Sequence, residues 1–564
     1  MDNVLFLILR QMRVPLLLLS TVYAIATFGL TVIPGLDDEG NVWYMDYFHA
    51  FYFISFMGTT IGFGELPYAF THAQRMWALV FMYISVATWI YAIGSLISLL
   101  GNETLRQAFT EYRFGRQVRQ LREPFFLICG YGDTGSKLVR SLRLRFLQAS
   151  ALDIKQSRID ALMLEDDPMF VPALCADAAN PDNLIKAGIT HPLCQSVVAL
   201  TNDNAVNLHI AITARVLNPA LRVICRADSH EVEDNMASFG TDYIIDPFDT
   251  FAKNLALATY APHQFQLVQW FRQARGAPLS EITRVPMGRW IICGFGRFGQ
   301  AIHKEMTEHN IQSRIIEPNS SIEALPEDAI IGYGTDAVTL TEADVQNAVG
   351  IIAGSDDDSN NLSIVVTAKE LNPDLFVIVR QTQNANRPLF ASAQADIVME
   401  PSEVISSKIR SLLTNPAIDE FLSLARAHDD EWARHLTERL RAFSSDIVPH
   451  TWFLTINETE AAAVVEAMQR GQQVRIEHLT RSHVNRDEKL PLLPLFHAND
   501  TGSFCIPDIY TPLQEGDRLL FAGTRASHSR MLWNLSNTLA LEYVMTGATL
   551  PQTSVGRWLH ARFS

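Results

Sequence analysis

Two long uncharged stretches near the start of the chain restrict its folding more than any other feature. Residues 14–33 run for 20 positions without a charged side chain, and residues 76–100 run for 25. At 1.5 Å of rise per residue, each helix would reach across the ~30 Å hydrocarbon core of a bilayer. Backbone inside that core must satisfy its own hydrogen bonds, so both stretches are expected as membrane-spanning helices. The first is long and lacks a small-residue cleavage site, which argues against a removed signal peptide. Residues 5–12, carrying Arg10, are expected as a short separate helix on the membrane surface. Between the spans, residues 47–57 are apolar and aromatic but too short to cross, so a re-entrant helix is expected there. Arg10 and Arg13 precede the first span, and Arg106, Arg113, Arg116 and Arg119 follow the second. The intervening segment holds Asp37, Asp38, Glu39, Asp46 and Glu65 against Arg75 alone. Basic residues stay on the cytoplasmic side, so both termini are expected in the cytoplasm of a cell whose inner membrane holds the spans.

The re-entrant stretch ends in Met57-Gly58-Thr59-Thr60-Ile61-Gly62-Phe63-Gly64-Glu65. Alternating glycines let successive residues adopt unusual dihedrals, so that several carbonyls can face one way. Rings of such carbonyls replace the hydration shell of a cation. The segment resembles the selectivity filter of potassium channels, Thr-Val-Gly-Tyr-Gly-Asp, with Ile61, Phe63 and Glu65 at the Val, Tyr and Asp places. The resemblance implies K+ held by Thr59, Thr60, Ile61, Gly62, Phe63 and Gly64. One chain supplies one filter strand, so a homotetramer in a lipid bilayer is expected. Related channels bend the inner helix at a glycine; Ser85 stands at that place here and Gly94 comes later. Ile93, Ile97 and Leu100 share a helical face near the cytoplasmic end, where they either form a hydrophobic gate or pack between helices.

Beyond residue 123 the pattern changes to strands and helices in alternation. The chain has 564 residues, enough for three or four units, and a net charge of −16, which argues against nucleic acid as a partner. Its six cysteines form no Cys-x-x-Cys pair and are expected as buried thiols. Phe125-Phe126-Leu127-Ile128-Cys129 leads into Gly130-Tyr131-Gly132-Asp133-Thr134-Gly135, and Trp290-Ile291-Ile292-Cys293 leads into Gly294-Phe295-Gly296-Arg297-Phe298-Gly299. A strand, a Gly-x-Gly-x-x-Gly loop and a helix form the phosphate-binding turn of dinucleotide folds. Ala161-Leu162-Met163-Leu164 is read as the second strand of the first unit, ending in Glu165. Arg314-Ile315-Ile316 is read as its counterpart, ending in Glu317. A strand-end acid binds ribose hydroxyls and disfavours a 2′-phosphate, so NAD or ADP is expected rather than NADP. Arg297 can grip a diphosphate where Asp133 would repel one, so the second pocket is favoured over the first. The ten residues from Leu217 match those from Leu371 at an offset of 154, as do Asn207 with Asn361 and Asp246-Pro247 with Glu400-Pro401. The unit is written twice.

Asp177-Ala178, Leu184-Ile185-Lys186-Ala187-Gly188-Ile189 and Thr201-Asn202-Asp203, with Asp336-Ala337 and Ser355-Asp356-Asp357 in the second copy, resemble the RCK domain, the regulator of potassium conductance. The resemblance implies a two-span pore domain (1–100), a linker (101–123) and a first Rossmann-like RCK domain with its crossover helix (124–287). A second such lobe with linking helices (288–445), a small α+β C-terminal lobe (446–547) and a tail (548–564) follow. It further implies nucleotide contact at Asp177 and Asp336, eight RCK units per octameric ring, and no enzyme activity. A helix is expected over 249–275, and strands at Trp452-Phe453-Leu454, Gln473-Val474-Arg475-Ile476 and Arg518-Leu519-Leu520-Phe521. Asp166 with Asp167, and Asp356 with Asp357, supply oxygens of the kind Ca2+ prefers, but without EF-hand spacing, so a solvated loop competes with a calcium site. His428, Glu431 and His435 share a helix face with the residue types zinc takes, and a plain surface helix is the reading preferred there. The expected function is a ligand-gated potassium channel. A poorly selective cation channel and a membrane-bound NAD-dependent oxidoreductase are the rival readings.

Overall fold

The computed structural model describes residues 2–100, 103–165, 169–227, 229–273, 276–322, 324–444 and 446–548. The N-terminal part is three helices. Asp2–Val32 and His72–Leu100 are the outer and inner helices, and Tyr47–Gly58 is a shorter pore helix between them. Residues 12–32 and 72–98 each reach a mean hydropathy of 1.8 over a length that spans a bilayer. The expected break between residues 5–12 and the first span is absent, because the outer helix runs through Pro15 as one piece. The two long helices approach closely at Gly29, where a Cβ would lie within 2.4 Å of the Trp77 ring, and the Trp77 indole donates to the Ala26 carbonyl at 3.1 Å. The pore helix is wedged against them through Ala50 and Ile54, buried with Ala26, Leu30 and Met45.

A helix over Glu103–Arg119 leads from the inner helix to the two sheet-bearing units. It falls within the linker expected over 101–123. Phe114 and Val118 are buried in the core of the first unit beside Phe125 and Leu184, so its far end is anchored.

Both units have a six-stranded parallel sheet. The first runs, edge to edge, Ala173–Cys175, Gln148–Asp153, Phe125–Cys129, Cys194–Ala199, Arg222–Arg226 and Tyr243–Ile245. The second repeats that order with Ile330–Ile331, Ser313–Glu317, Trp290–Cys293, Gly350–Ala353, Phe376–Arg380 and Ile397–Met399. The central strands are buried on both faces, which explains their unbroken apolar sequence. The thiols of Cys129, Cys194, Cys225 and Cys293 lie in those interiors, unpaired, and burial pushes the last three up to about 12.

The second strand of the first unit is Gln148–Asp153, not 161–164, which lie in the helix Gln156–Leu164. Gln-Ala-Ser-Ala-Leu-Asp looks polar in isolation, yet five of its six residues are buried because helices cover both faces.

After each sheet the chain forms a crossover helix and then a second helix: Pro247–Tyr260 with Pro262–Arg272, and Pro401–Thr414 with Pro416–Ala425. The single helix expected over 249–275 is thus two. Pro262 has no N–H to donate and drives Ala261 out of the helical region. The crossovers are exchanged. Phe248, Ala252, Leu255 and Ala258 of the first pack into the core of the second unit, beside Trp290 and Phe298. Ile405, Ile409, Leu412 and Leu413 of the second pack beneath the first sheet with Leu138 and Leu142. The phenylalanine, leucines and isoleucines among them are each worth roughly 1.5–3 kcal/mol when fully buried, so the two units are held as a pair.

The C-terminal lobe is an antiparallel sheet in the order His450–Thr455, Arg518–Gly523, Leu492–Asn499, Gly502–Cys505. Residues 473–475 form no strand there. Arg475 makes one bridge to Pro512, and the short helix Ile476–Leu479 follows. Residues 549–564 of the tail lie outside the described residues.

Candidate functional site

The pore helix starts at Asp46, whose carboxylate accepts the His49 N–H at 3.0 Å, and ends at Thr59, whose hydroxyl donates to the Ser55 carbonyl at 2.8 Å. From there every second residue has a left-handed backbone: Thr60 at φ +62°, Gly62 at +66° and Gly64 at +75°. Nothing stands within 4 Å of a Cβ built on Gly62 or Gly64, so the dihedral, not crowding within the chain, demands glycine. The Phe56 carbonyl accepts from Ile61 and Gly62 N–H at 3.0 and 3.4 Å, fastening one end of the segment. Tyr52 donates to Glu65 at 3.3 Å and fastens the other. Ile61 and Phe63 are exposed in the single chain. Behind the segment lies a hollow of about 530 Å³, walled by Phe53, Met57, Tyr83 and Ile90.

The inner helix passes Ser85 and Gly94 without a break. Ser85 is buried and donates back to Met82, while Gly94 has open space around it. Ile93 and Ile97 are exposed on the single chain; the side chain of Leu100 lies outside the described residues.

The two glycine loops share a plan. Gly130 and Gly294 have φ of +105° and +97°, and a Cβ on Gly135 or Gly299 would sit 2.0 Å from the Gly130 or Gly294 carbonyl oxygen. That contact makes room for the loop helices Asp133–Arg143 and Arg297–Glu308 to start against the strand. In the second unit the Glu317 carboxylate accepts the Phe295 N–H at 2.6 Å and the Asn319 N–H at 3.0 Å. The equivalent acid in the first unit is Asp153, which accepts from Tyr131 at 2.7 Å and Lys155 at 2.8 Å. Glu165 is not at the strand end. It follows the next helix, and its carboxylate meets Arg143 at 2.5 Å and Arg140 at 3.5 Å. The sequence held the clue, since Asp153 lies as far beyond Gly130 as Glu317 lies beyond Gly294.

Around the first loop a hollow of about 350 Å³ opens between Gly130, Gly132, Asp153, Arg158, Asp177 and Asn202. Arg158 enters from the helix after the acid strand, 3.1 Å from Asp153 and alongside Gly132. Asp177 is exposed at its rim, and its carboxylate accepts the Ala179 N–H at 2.8 Å. In the second loop the Arg297 guanidinium lies 5.0 Å from the ring centre of Phe248, a residue of the first crossover helix. Arg380 covers the same ring at 4.7 Å and holds Asp356 at 2.5 Å. Phe298 is buried beneath the loop, and Asp336 is exposed beside it.

Comparison with known proteins bears on both sites. Residues 17–102 match the family described as Ion channel, and residues 126–247 and 290–401 both match TrkA-N domain. The chain carries an ion-channel domain followed by two TrkA-N domains. Potassium channel protein 1 of Methanocaldococcus jannaschii is 32% identical over 148 residues, 25% of this chain and 44% of that protein. A Trk system potassium uptake protein TrkA homolog of Pyrococcus abyssi is 28% identical over 142 residues, 23% of this chain and 63% of its own length. The chain spans less than half the length of the first of these relatives. A solved structure described as the GsuK channel aligns with 97% of this chain and all of its own, at 14% identity and a TM-score of 0.50, a likeness of fold.

Among the described residues, the acids at 356–358 do not gather as a cation site. Asp357 caps a helix by accepting from Ser359 and Asn360, Asp356 is held by Arg380, and buried Asp358 accepts from Thr382 and Gln383. Asp166 and Asp167 lie outside the described residues. His428 stacks on Trp432, whereas Glu431 is gripped by Arg434 and stands 3.3 Å from His435. Among the described residues no group of three or more metal-binding side chains is assembled.

Proposed function

We propose that four copies of this chain form a potassium-selective channel in a lipid bilayer, with eight TrkA-N domains ringed below the pore. In this reading an adenine nucleotide, NAD or ADP, binds the ring and biases the pore. The single observation that carries it is the alternation of left-handed residues at Thr60, Gly62 and Gly64, tied at both ends to a pore helix between two membrane-length helices. Such a strand turns its carbonyls to one side, and four of them make the oxygen rings that replace potassium's water. The apolar hollow behind it is then filled by a neighbouring copy. Ile93, Ile97 and Leu100 would line the cytoplasmic mouth. The linker helix, anchored by Phe114 and Val118, carries movement of the ring to the inner helix. The protein is a conduit rather than an enzyme.

Nucleotide is assigned to the first TrkA-N domain, contrary to the expectation from Arg297. The first pocket offers a hollow, an acid at the strand end and Arg158 beside the glycine loop, whereas Arg297 is turned onto Phe248. Oδ1 of Asp153 accepts only the Lys155 N–H and so keeps one lone pair for a ribose hydroxyl, and the loop-helix N-terminus faces the phosphates.

The test is current through the purified chain in planar bilayers, with potassium on one side, sodium on the other, and NAD or ADP added in turn. A reversal potential near that of potassium, shifted in open probability by nucleotide and abolished by Gly62→Ala, is the expected result. Reversal midway between the two ions would identify a poorly selective cation channel. Selective current indifferent to both nucleotides would reduce the TrkA-N pockets to scaffold.

A further inference from the structure

One cleft in the chain is neither the pore nor a glycine-loop pocket. It has a volume of about 740 Å³ and lies where the exchanged crossover helices meet. Leu255, Phe265 and Val268 come from the first crossover and its following helix, Val404 comes from the second crossover, and Leu144 follows the first loop helix. Its walls are apolar, but one end is basic. Arg145, Arg272 and Arg410 line it there, and the same three border a smaller hollow beyond.

Two of the carboxylates in the lining or beside it, Asp419 and Asp396, are already engaged, and Glu403 is exposed to solvent. Asp419 takes Lys408 at 2.5 Å and the Ser411 hydroxyl at 2.9 Å. Asp396 accepts the Val377 N–H at 2.7 Å, and Glu403 stands 4.0 Å from Lys137. Arg272 is left with the distant attraction of Asp419 and the repulsion of Arg426, and its burial lowers its pKa. Its Nε is buried without a hydrogen-bond partner among the described residues, as is the Oε1 of neighbouring Gln273. A buried guanidinium without a full set of acceptors is costly, and such a group marks a place where an acceptor is missing.

We infer that this cleft binds an organic anion, a phosphate monoester or carboxylate head on an apolar body, with the head at Arg145, Arg272 and Arg410 and the body between Leu255, Phe265 and Val404. A guanidinium cluster suits such heads because each fork donates two parallel hydrogen bonds. The occupant touches both crossover helices, so it ties one TrkA-N domain to the other, at a site separate from either glycine loop. The inference concerns binding alone and stands whether or not the chain conducts.

The test uses the full chain in lipid nanodiscs and calorimetric titration with phenyl phosphate, benzoate, inorganic phosphate and phenol. The expected result is saturable binding of phenyl phosphate or benzoate, one per chain, the tighter of the two naming the head. Inorganic phosphate, lacking the body, and phenol, lacking the charge, should bind at least tenfold more weakly. Arg272→Gln should weaken the ligand at least tenfold, and so should Asn254→Trp, which fills the cleft from a half-buried position. Unchanged thermal melting would show that both variants remain folded. Wild-type affinity in both variants would overturn the inference, as would loss on Arg158→Ala instead, which would put the ligand in the glycine-loop pocket. No saturable binding of either probe to the wild type would overturn it too.

Discussion

Set side by side, the two TrkA-N domains agree in the buried polar groups that hold strand and loop backbone and differ around the open faces of the glycine loops. Asn207 and Asn361 are fully buried, and each donates to a carbonyl of the next strand, Arg226 at 3.2 Å or Arg380 at 2.9 Å. Asp242 and Asp396 each accept a strand N–H at 2.7 Å. Asp153 and Glu317 differ by a methylene yet hold the same loop N–H. The open faces have diverged. Arg158 stands over the first loop, and Phe248 draws Arg297 away from the second. Backbone hydrogen bonds deep in a sheet leave few substitutes because an unpaired polar group there is costly. A pocket wall is set by whichever helix lies against it, and the exchange of crossovers gives each loop a different neighbour.

The largest test of the shared plan is Gly135→Ala against Gly299→Ala. Each Cβ would lie 2.0 Å from a backbone carbonyl oxygen that cannot move without the strand. Both should lose at least about 3 kcal/mol in denaturant melts, and tolerance of only one would break the equivalence. Next come Asn207→Ala and Asn361→Ala, each leaving two carbonyls and a loop N–H unpaired, at a cost of about 2–3 kcal/mol. Unequal losses by thermal melting would mean that one loop is held by something else.

The difference between the pockets is sharpened by calorimetric titration of ADP. Arg158→Ala should weaken binding about tenfold, or ~1.4 kcal/mol, and Arg297→Ala by less than about twofold. The opposite pattern would return the nucleotide to the second domain. The smallest effect concerns the crossover caps. Asp246 caps its helix by accepting from Phe248 and Asp249, and burial raises its pKa. A raised acid lends stability that is fully present below its unfolded value of about 3.9 and lost as pH rises through the folded value. Asp246→Asn keeps the cap and removes the charge, so its stability relative to wild type should improve by up to about 1 kcal/mol between pH 4 and 7. Glu400, at the equivalent place, makes no side-chain cap and instead pairs with Lys137 across the domain boundary. Glu400→Gln should therefore destabilise at pH 7, and a gain there would erase the contrast.

Several features were legible because local chemistry fixes them. Residues 47–57 read as a re-entrant helix from their length, and Gly62 and Gly64 as left-handed positions from their spacing. The duplication was plain in Asn207 and Asn361. Asp153 was missed because Gln148 and Ser150 make its strand look polar until covering helices bury it. The break at Ala261 was signalled by Pro262. The acids at 356–358 looked like a cation site because sequence shows charges together and not the N–H groups and arginine that claim them.

The sequence by itself determined two membrane spans, a segment of alternating glycines between them and a Rossmann-like unit written twice. Each follows from residues close along the chain, through hydrophobic length, φ preference or periodicity. Only the tertiary structure decided that the crossovers are exchanged, that Arg297 turns to Phe248, and that an arginine-lined cleft opens where the crossovers meet. Those outcomes join segments distant in the chain, from Phe248 with Arg297 to Leu138 with Ile409, and no local pattern records which buried face meets which.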